Sequence, residues 1–190
     1  MKHSIIIILL ISLISCSSPK ARKPISRTSD TTFIEESIKR NKALIKLEET
    51  LFKKIIANDS VHTYITSPNG FWYYYNHKIE VKAKQPKVGD EVIFNYEIRD
   101  VKNNTIYTKE ELGSRNQEKK EDRILKIDGE EFITGLHEGL KLMKQGERVT
   151  FLFPSNKVFG ATGFQDRITP NQSLIIEVSL KKINQKNKPK

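Results

Sequence analysis

Val92, Phe94, Tyr96 and Ile98 occupy every second position of one stretch, with Ile93, Asn95, Glu97 and Arg99 between them. A period of two places the first set on one face of an extended strand, so this stretch reads as a strand half buried against a core. The same alternation recurs at Val149, Phe151 and Phe153, at Leu174, Ile176, Val178 and Leu180, and more briefly at Leu125 and Ile127. Turn chemistry separates these runs. Ser67-Pro68-Asn69-Gly70 lies between Tyr64-Ile65 and the aromatic block Phe71 to Tyr75, which reads as a hairpin. Val88-Gly89-Asp90 marks a second turn and Asn103-Asn104 a third. Leu136, Leu140 and Met143 instead take i, i+4, i+7 spacing, the signature of a short helix that closes near Gly146. Antiparallel strands around one short helix make an α+β fold.

The N-terminal part of the chain obeys other rules. Lys2 and His3 precede an apolar run, Ile5 to Ile14, that is shorter than the roughly 20 residues a membrane span needs. Leu13-Ile14-Ser15 leads directly to Cys16, the single cysteine of the 190 residues. This is the pattern of a bacterial lipoprotein leader, residues 1–15, with Cys16 as the acylated residue. Two acyl chains at about 0.8 kcal/mol per buried methylene would anchor the protein to a membrane without crossing it. Residues 16–32, rich in Ser, Pro, Lys and Arg, read as a flexible tether. Residues 33–62 read as an amphipathic helical extension, with Ile34, Ile38, Leu44, Leu47, Leu51 and Ile55 on one stripe that self-packs in preference to meeting a partner. The folded domain then runs over 63–184, with a basic tail at 185–190.

Acylation of Cys16 leaves no thiol for a disulfide, so the fold rests on burial and hydrogen bonds. His3, His62, His77 and His137 are scattered, and neither a metal nor a cofactor is expected. The net charge of +10 is spread along the chain. A leader for export also removes the usual nucleic-acid partners, so no nucleic acid is expected and anionic lipid or acidic clients are the better counterparts. Glu110-Glu111, Glu118 to Asp122 and the Lys-rich C-terminus read as solvated surface.

Phe132-Ile133-Thr134-Gly135-Leu136-His137-Glu138-Gly139-Leu140 resembles the pocket segment of FKBP-type peptidyl-prolyl isomerases. Further segments of that family follow in order: Val88-Gly89-Asp90, Asn95-Tyr96, Met143 with Gly146-Glu147-Arg148, Pro154-Ser155, Phe159-Gly160-Ala161-Thr162-Gly163, and Ile168 with Pro170-Asn171 and Leu174. The resemblance covers roughly Phe71 to Ile183. It implies an antiparallel twisted sheet wrapped around the short helix. A narrower resemblance joins the leader, the charged helix, the Ser67 to Tyr75 block and Phe151-Leu152-Phe153-Pro154 to the gliding-motility-associated prolyl isomerase lipoproteins of Bacteroidota.

The chemistry so implied is rotation about an X-Pro bond, whose barrier of ~18–20 kcal/mol reflects amide resonance. Resonance separates charge, so a dry apolar pocket disfavours the planar ground state relative to the twisted one. Carried over from the resemblance, Tyr96, Ile133 and Phe159 would be the catalytic positions, with the Ile133 amide meeting substrate backbone. Ile106, Tyr107, Phe132, Leu136, Phe164, Ile168 and Ile176 would contact substrate, although Leu136 and Ile176 taken alone read as core. The clients would be proline-containing polypeptides, and the protein a monomer facing the periplasm.

Four positions depart from the family pattern. Phe159 replaces a tyrosine, Ile106-Tyr107 a Phe-Asp pair, Leu136 a tryptophan and Ile176 an aromatic residue. Two lost hydrogen bonds at ~0.5–1.5 kcal/mol each imply catalysis roughly tenfold to a hundredfold slower. Tyr107 is expected to restore one donor from another direction. The competing function is an assembly chaperone that binds clients through the same pocket and the N-terminal helix.

Overall fold

The computed structural model describes residues 28–80, 83–114 and 120–185. The expected leader, Cys16, most of the tether and residues 186–190 of the basic tail lie outside these residues. The chain divides into two units, Met1–Asn41 and Lys42–Lys190, and the boundary falls within its first helix, α1 (Thr28–Asn58). The helix starts five residues before the expected boundary at residue 33. In the first unit, Phe33, Ile34 and Ile38 are exposed.

The second unit holds a seven-stranded sheet: β1 (Ile65–Thr66), β2 (Trp72–His77), β3 (Glu91–Arg99), β4 (Thr105–Tyr107), β5 (Arg123–Lys126), β6 (Arg148–Phe153) and β7 (Leu174–Asn184). The strand order is β1-β2-β6-β7-β3-β4, and β5 also pairs with β3. Every pairing is antiparallel. Along β3 the β5 pairing covers Glu91 to Phe94 and the β4 pairing covers Ile98 and Arg99. Between β4 and β5 stands a one-turn helix, α2 (Lys109–Leu112), and then the segment leading to Arg123.

The hairpins form as the turn residues dictate. Ser67 donates its amide to the Phe71 carbonyl (2.8 Å), and Gly70 closes that turn at φ +82°, a left-handed value a side chain resists. Between β3 and β4 the Asp100 carboxylate accepts from the amides of Lys102 and Asn104 (both 2.8 Å).

Alternation decides the core. Val92, Phe94 and Ile98 are fully buried and Tyr96 nearly so, and Leu174, Ile176, Val178 and Leu180 from β7 share their cluster. Phe71, Phe151 and Phe153 add an aromatic layer, the last two stacked at 5.3 Å. The central short helix, α3 (Thr134–Leu140), closes against that layer. Gly135 and Gly139 allow it: a Cβ on Gly135 would lie 2.8 Å from the Phe153 ring, and one on Gly139 would lie 2.9 Å from the Phe151 ring. Two glycines at i, i+4 therefore let backbone, rather than side chain, meet the rings.

A smaller cluster covers the other side of the sheet. Phe52 from α1 is fully buried there with Leu152 and Ile175, and its ring lies 5.4 Å from that of Trp72. The expected self-packing therefore holds for the later turns of α1, but the stripe differs from the one read in the sequence. Leu47 is 68 % exposed, whereas Glu48 is buried at 4 %. The buried face runs through Leu44, Glu48, Phe52 and Ile55 or Ile56, and an apolar reading passes over Glu48 because its burial depends on polar partners from distant segments.

Candidate active site

Between β3, α2, the N-terminus of α3 and the loop joining β6 to β7 lies a cavity of about 780 Å³. Tyr96 reaches it from β3, Tyr107 from the end of β4, and Phe132 and Ile133 from the turn that opens α3. Val158, Phe159, Thr162, Phe164, Gln165 and Arg167 form the loop side. Aromatic rings make the walls. Phe159 and Phe164 stack at 4.6 Å, Tyr107 meets Phe164 edge-on at 5.8 Å, and Phe132 stands perpendicular to Tyr96 at 6.0 Å.

Six of the residues expected from the sequence thus converge: Tyr96, Tyr107, Phe132, Ile133, Phe159 and Phe164. Four do not line the cavity. Leu136 and Ile176 are fully buried in the core beneath it, as their positions on α3 and β7 taken alone suggest. Ile168 is also buried, its backbone paired with that of Phe164. Ile106 offers its carbonyl oxygen to the Arg167 guanidinium (2.9 Å) in place of its side chain. Since β4 alternates, presenting Tyr107 to the cavity turns Ile106 away.

Two donors at the cavity are uncommitted. Among the described residues nothing accepts from the Ile133 amide, although the Ile133 carbonyl takes the amides of Leu136 and His137 (3.0 and 3.3 Å). The Tyr96 hydroxyl likewise has no hydrogen-bond partner among them, and burial pushes it up to about 12, an effect the Arg123 charge partly offsets. It is therefore a neutral donor at any physiological pH. The Tyr107 hydroxyl is not available in the same way, because it donates to Gln165 Oε1 (2.9 Å). That corrects the expectation of a replacement donor: the proton is held within the protein's own wall.

Charged groups rim the apolar walls. The Arg123 guanidinium lies over the Phe132 ring at 4.5 Å, and Arg167 lies over Tyr107 at 4.5 Å while pairing with Glu111 at 2.8 Å. Glu111 is exposed, in keeping with the reading of Glu110-Glu111 as solvated surface. It closes a capping box with Thr108 at the start of α2 and borders the cavity, and its carboxyl is held below the usual range first by the Thr108 amide and then by Arg167. Asp122, by contrast expected in solvent, is buried at 9 % beside Lys181 (3.6 Å). Some of these rim residues left a trace in the sequence. Arg123 is two positions before Leu125 on the inward face of β5, and Thr108-Lys109-Glu110-Glu111 has the spacing of a capping box. Gln165 and Arg167 sit in irregular backbone, where no period marks them.

The arrangement can grip a small apolar ring between aromatic faces, offer an amide and a hydroxyl to flanking backbone, and exclude water from the rest. The described part of the cavity brings no nucleophile and base together, so its chemistry is that of solvation and orientation.

Comparison with known proteins agrees with this geometry. Residues 82–181 match the family model described as FKBP-type peptidyl-prolyl cis-trans isomerase. A probable FKBP-type peptidyl-prolyl cis-trans isomerase FkpA of Neisseria meningitidis serogroup B is 30% identical over 135 residues, covering 71% of this chain and 44% of that protein. The chain thus spans less than half the length of that relative. FK506-binding protein 1 of Gibberella zeae is 31% identical over 103 residues, covering 52% of this chain and 86% of the relative. Among solved structures, FkpA from Escherichia coli aligns over 97% of this chain and 82% of its own, with a TM-score of 0.56 at 21% identity. A peptidyl-prolyl cis-trans isomerase from Pseudomonas syringae aligns over 76% and 96%, with a TM-score of 0.56 at 19% identity. At those identities the structural likeness bears on the fold alone.

Proposed function

The chain belongs to the FKBP-type peptidyl-prolyl cis-trans isomerase family, and from that premise we propose that it catalyses rotation about X-Pro bonds in polypeptides of the cell envelope. The observation that carries the reading is the pairing of an aromatic, largely apolar cavity with two uncommitted donors, the Ile133 amide and the Tyr96 hydroxyl. A prolyl ring seated between Phe159, Phe132 and Tyr96 leaves water behind. Its amide then loses the solvent that favours the charge-separated planar form, while the Ile133 amide holds the flanking carbonyl in a turn. The Phe164 ring behind Phe159 keeps that wall rigid.

The leader pattern and Cys16 support a lipid-anchored protein facing the periplasm, working on exported chains whose prolines isomerise over tens of seconds. The Ser67 to Tyr75 and Phe151 to Pro154 blocks support a link to gliding motility. A protease-coupled assay on several X-Pro peptides tests the activity, and a rate no greater than that of buffer for every peptide would remove it. Incorporation of labelled palmitate, lost on Cys16→Ser, tests the anchor.

A second reading rests on Phe159 and on the commitment of Tyr107 to Gln165, which together leave the cavity without a free hydroxyl at either position. In it the cavity holds proline-containing segments as a chaperone would, with slow turnover. The two readings separate when Ile133→Glu is assayed. The enzyme reading has turnover and client protection fall together, whereas the chaperone reading has protection persist through the N-terminal helix.

A further inference from the structure

Glu48 lies on α1, in the N-terminal extension ahead of residues 82–181 that match the family. Its side chain is nevertheless the most deeply placed carboxylate among the described side chains of that helix, 4 % exposed. One oxygen, Oε1, accepts from the Ser155 amide (2.9 Å) and from the Ser173 hydroxyl (2.7 Å). Ser155 is separated from β6 by Pro154 alone and Ser173 immediately precedes β7, so these two residues mark the two ends of the loop that carries Phe159 and Phe164. A single oxygen atom therefore bridges the two ends of the loop just beyond the last pair of the β6–β7 ladder, Phe153 with Leu174, and fastens both to α1.

The rest of the loop is held elsewhere. Its tip is fixed to the β4–α2 side by Gln165 on Tyr107 and by Arg167 on Glu111. Inside it, Asn171 donates to the Gly160 carbonyl (2.7 Å) and Phe164 exchanges amide bonds with Ile168 (2.9 and 3.2 Å). The ladder pair Phe153 with Leu174 joins the two strands at its base, and Lys157 pairs with Glu138 on α3 (2.9 Å), but none of these contacts joins the loop's ends to α1. Glu48 does, and at a cost, since its second oxygen, Oε2, is buried without a partner among the described residues. An apolar residue would avoid that desolvation penalty, so a carboxylate kept here is better explained by what it positions than by stability.

We propose that Glu48 is a positioning residue for the site: it clamps both ends of the loop to α1 just beyond the β6–β7 ladder and so sets the spacing of the Phe159–Phe164 wall from Phe132 and Tyr96. The inference rests on the isomerase reading for its kinetic consequence but not for its structural one. The helical extension then does more than separate the domain from its anchor, because it completes the pocket from behind.

The test compares full-length Glu48→Leu, which removes the acceptor, with Glu48→Gln, which keeps an oxygen there. Amide hydrogen exchange over residues 156–172 is measured alongside steady-state isomerisation. Glu48→Leu should exchange about tenfold faster in the loop while β3 is unchanged, and should raise KM severalfold with kcat altered less than about twofold. Glu48→Gln should restore both towards wild type. Loop exchange unchanged in Glu48→Leu, acceleration shared equally by β3, or equal defects in both variants would overturn the proposal. Should Glu48→Leu fail to fold, Ser173→Ala removes the hydroxyl alone and must still quicken exchange at residues 169–172. If the wild-type protein shows no isomerisation, the functional reading fails by itself, and the exchange arm still decides the role of Glu48.

Discussion

The Tyr107 hydroxyl donates to Gln165 Oε1 at 2.9 Å, joining the end of β4 to the loop that carries the cavity's aromatic wall. Where the family pattern has a carboxylate, this chain therefore has an internal strut. The bond restrains the loop, but its proton is not offered to substrate. Tyr107→Phe should accordingly leave kcat within about twofold and raise KM by about two- to tenfold, the range of one ordinary hydrogen bond. Steady-state kinetics on a single X-Pro peptide checks this, and a tenfold fall in kcat with KM unchanged would show that the hydroxyl serves the transition state directly.

Arg123 holds Phe132 by lying 4.5 Å from its ring centroid, while Tyr96 and Phe94 meet that ring edge-on at 6.0 and 6.4 Å. With the His137 ring edge-on at 6.3 Å, four contacts fix one rim residue, and the cationic one accounts for about 0.5–1 kcal/mol at a partly exposed site. Arg123→Leu should weaken peptide binding about two- to fivefold, with little change in thermal stability. Arg123→Lys should recover only part of that loss, because an ammonium does not stack as a guanidinium does. Calorimetric titration with a proline-containing peptide measures both.

Much of this was readable in advance, and the limits have physical causes. Strands β3, β6 and β7 announce themselves because the core face of each is uniformly apolar while polar residues such as Asn95, Thr150 and Glu177 interrupt the other, so period two survives in the residue types even where Phe52 buries Leu152 and Ile175. The Phe132 to Leu140 segment is equally legible, since Gly135 and Gly139 are dictated by the approach of α3 to Phe153 and Phe151. Leu136 and Ile176 were harder to place: a residue under a cavity and a residue lining it have the same apolar character. The stripe on α1 was misread at Leu47 because the position facing the sheet is Glu48, a charge made tolerable by Ser155 and Ser173. Those serines are more than 100 positions away, and no local pattern can report them.

The close approach of α3 to the aromatic layer leaves no room at Gly139. An added methyl would sit 2.9 Å from the Phe151 ring, which is itself stacked on Phe153 at 5.3 Å and cannot retreat cheaply. Gly139→Ala gains helix propensity of about 1 kcal/mol but incurs about 1–3 kcal/mol of overpacking. The expected outcome is a net loss of up to about 2 kcal/mol in chemical denaturation, with an unchanged m-value. A Gly139→Ala protein about 1 kcal/mol more stable than the parent, the propensity gain with no overpacking, would mean that α3 can slide along the sheet.

Tyr96 supplies a pH prediction with a definite sign. Its hydroxyl is pushed up to about 12 because burial penalises the phenolate, with the Arg123 charge acting the other way. The folded protein therefore keeps this proton after the unfolded chain has lost it, which happens near the usual value of 10.0. Stability from this group is complete below pH 10 and declines as pH rises from 10 towards 12, since there the unfolded state binds fewer protons. Activity should be flat from pH 6 to about 9 for the same reason, as the donor stays neutral throughout. Tyr96→Phe should lower kcat/KM by about two- to tenfold while removing this part of the alkaline loss of stability. Parallel pH titrations of activity and of denaturation midpoint in the two proteins check the argument. An activity profile that breaks below pH 9 in the wild type but not in Tyr96→Phe would show the hydroxyl ionising in reach of solvent, contrary to its burial beside Phe132.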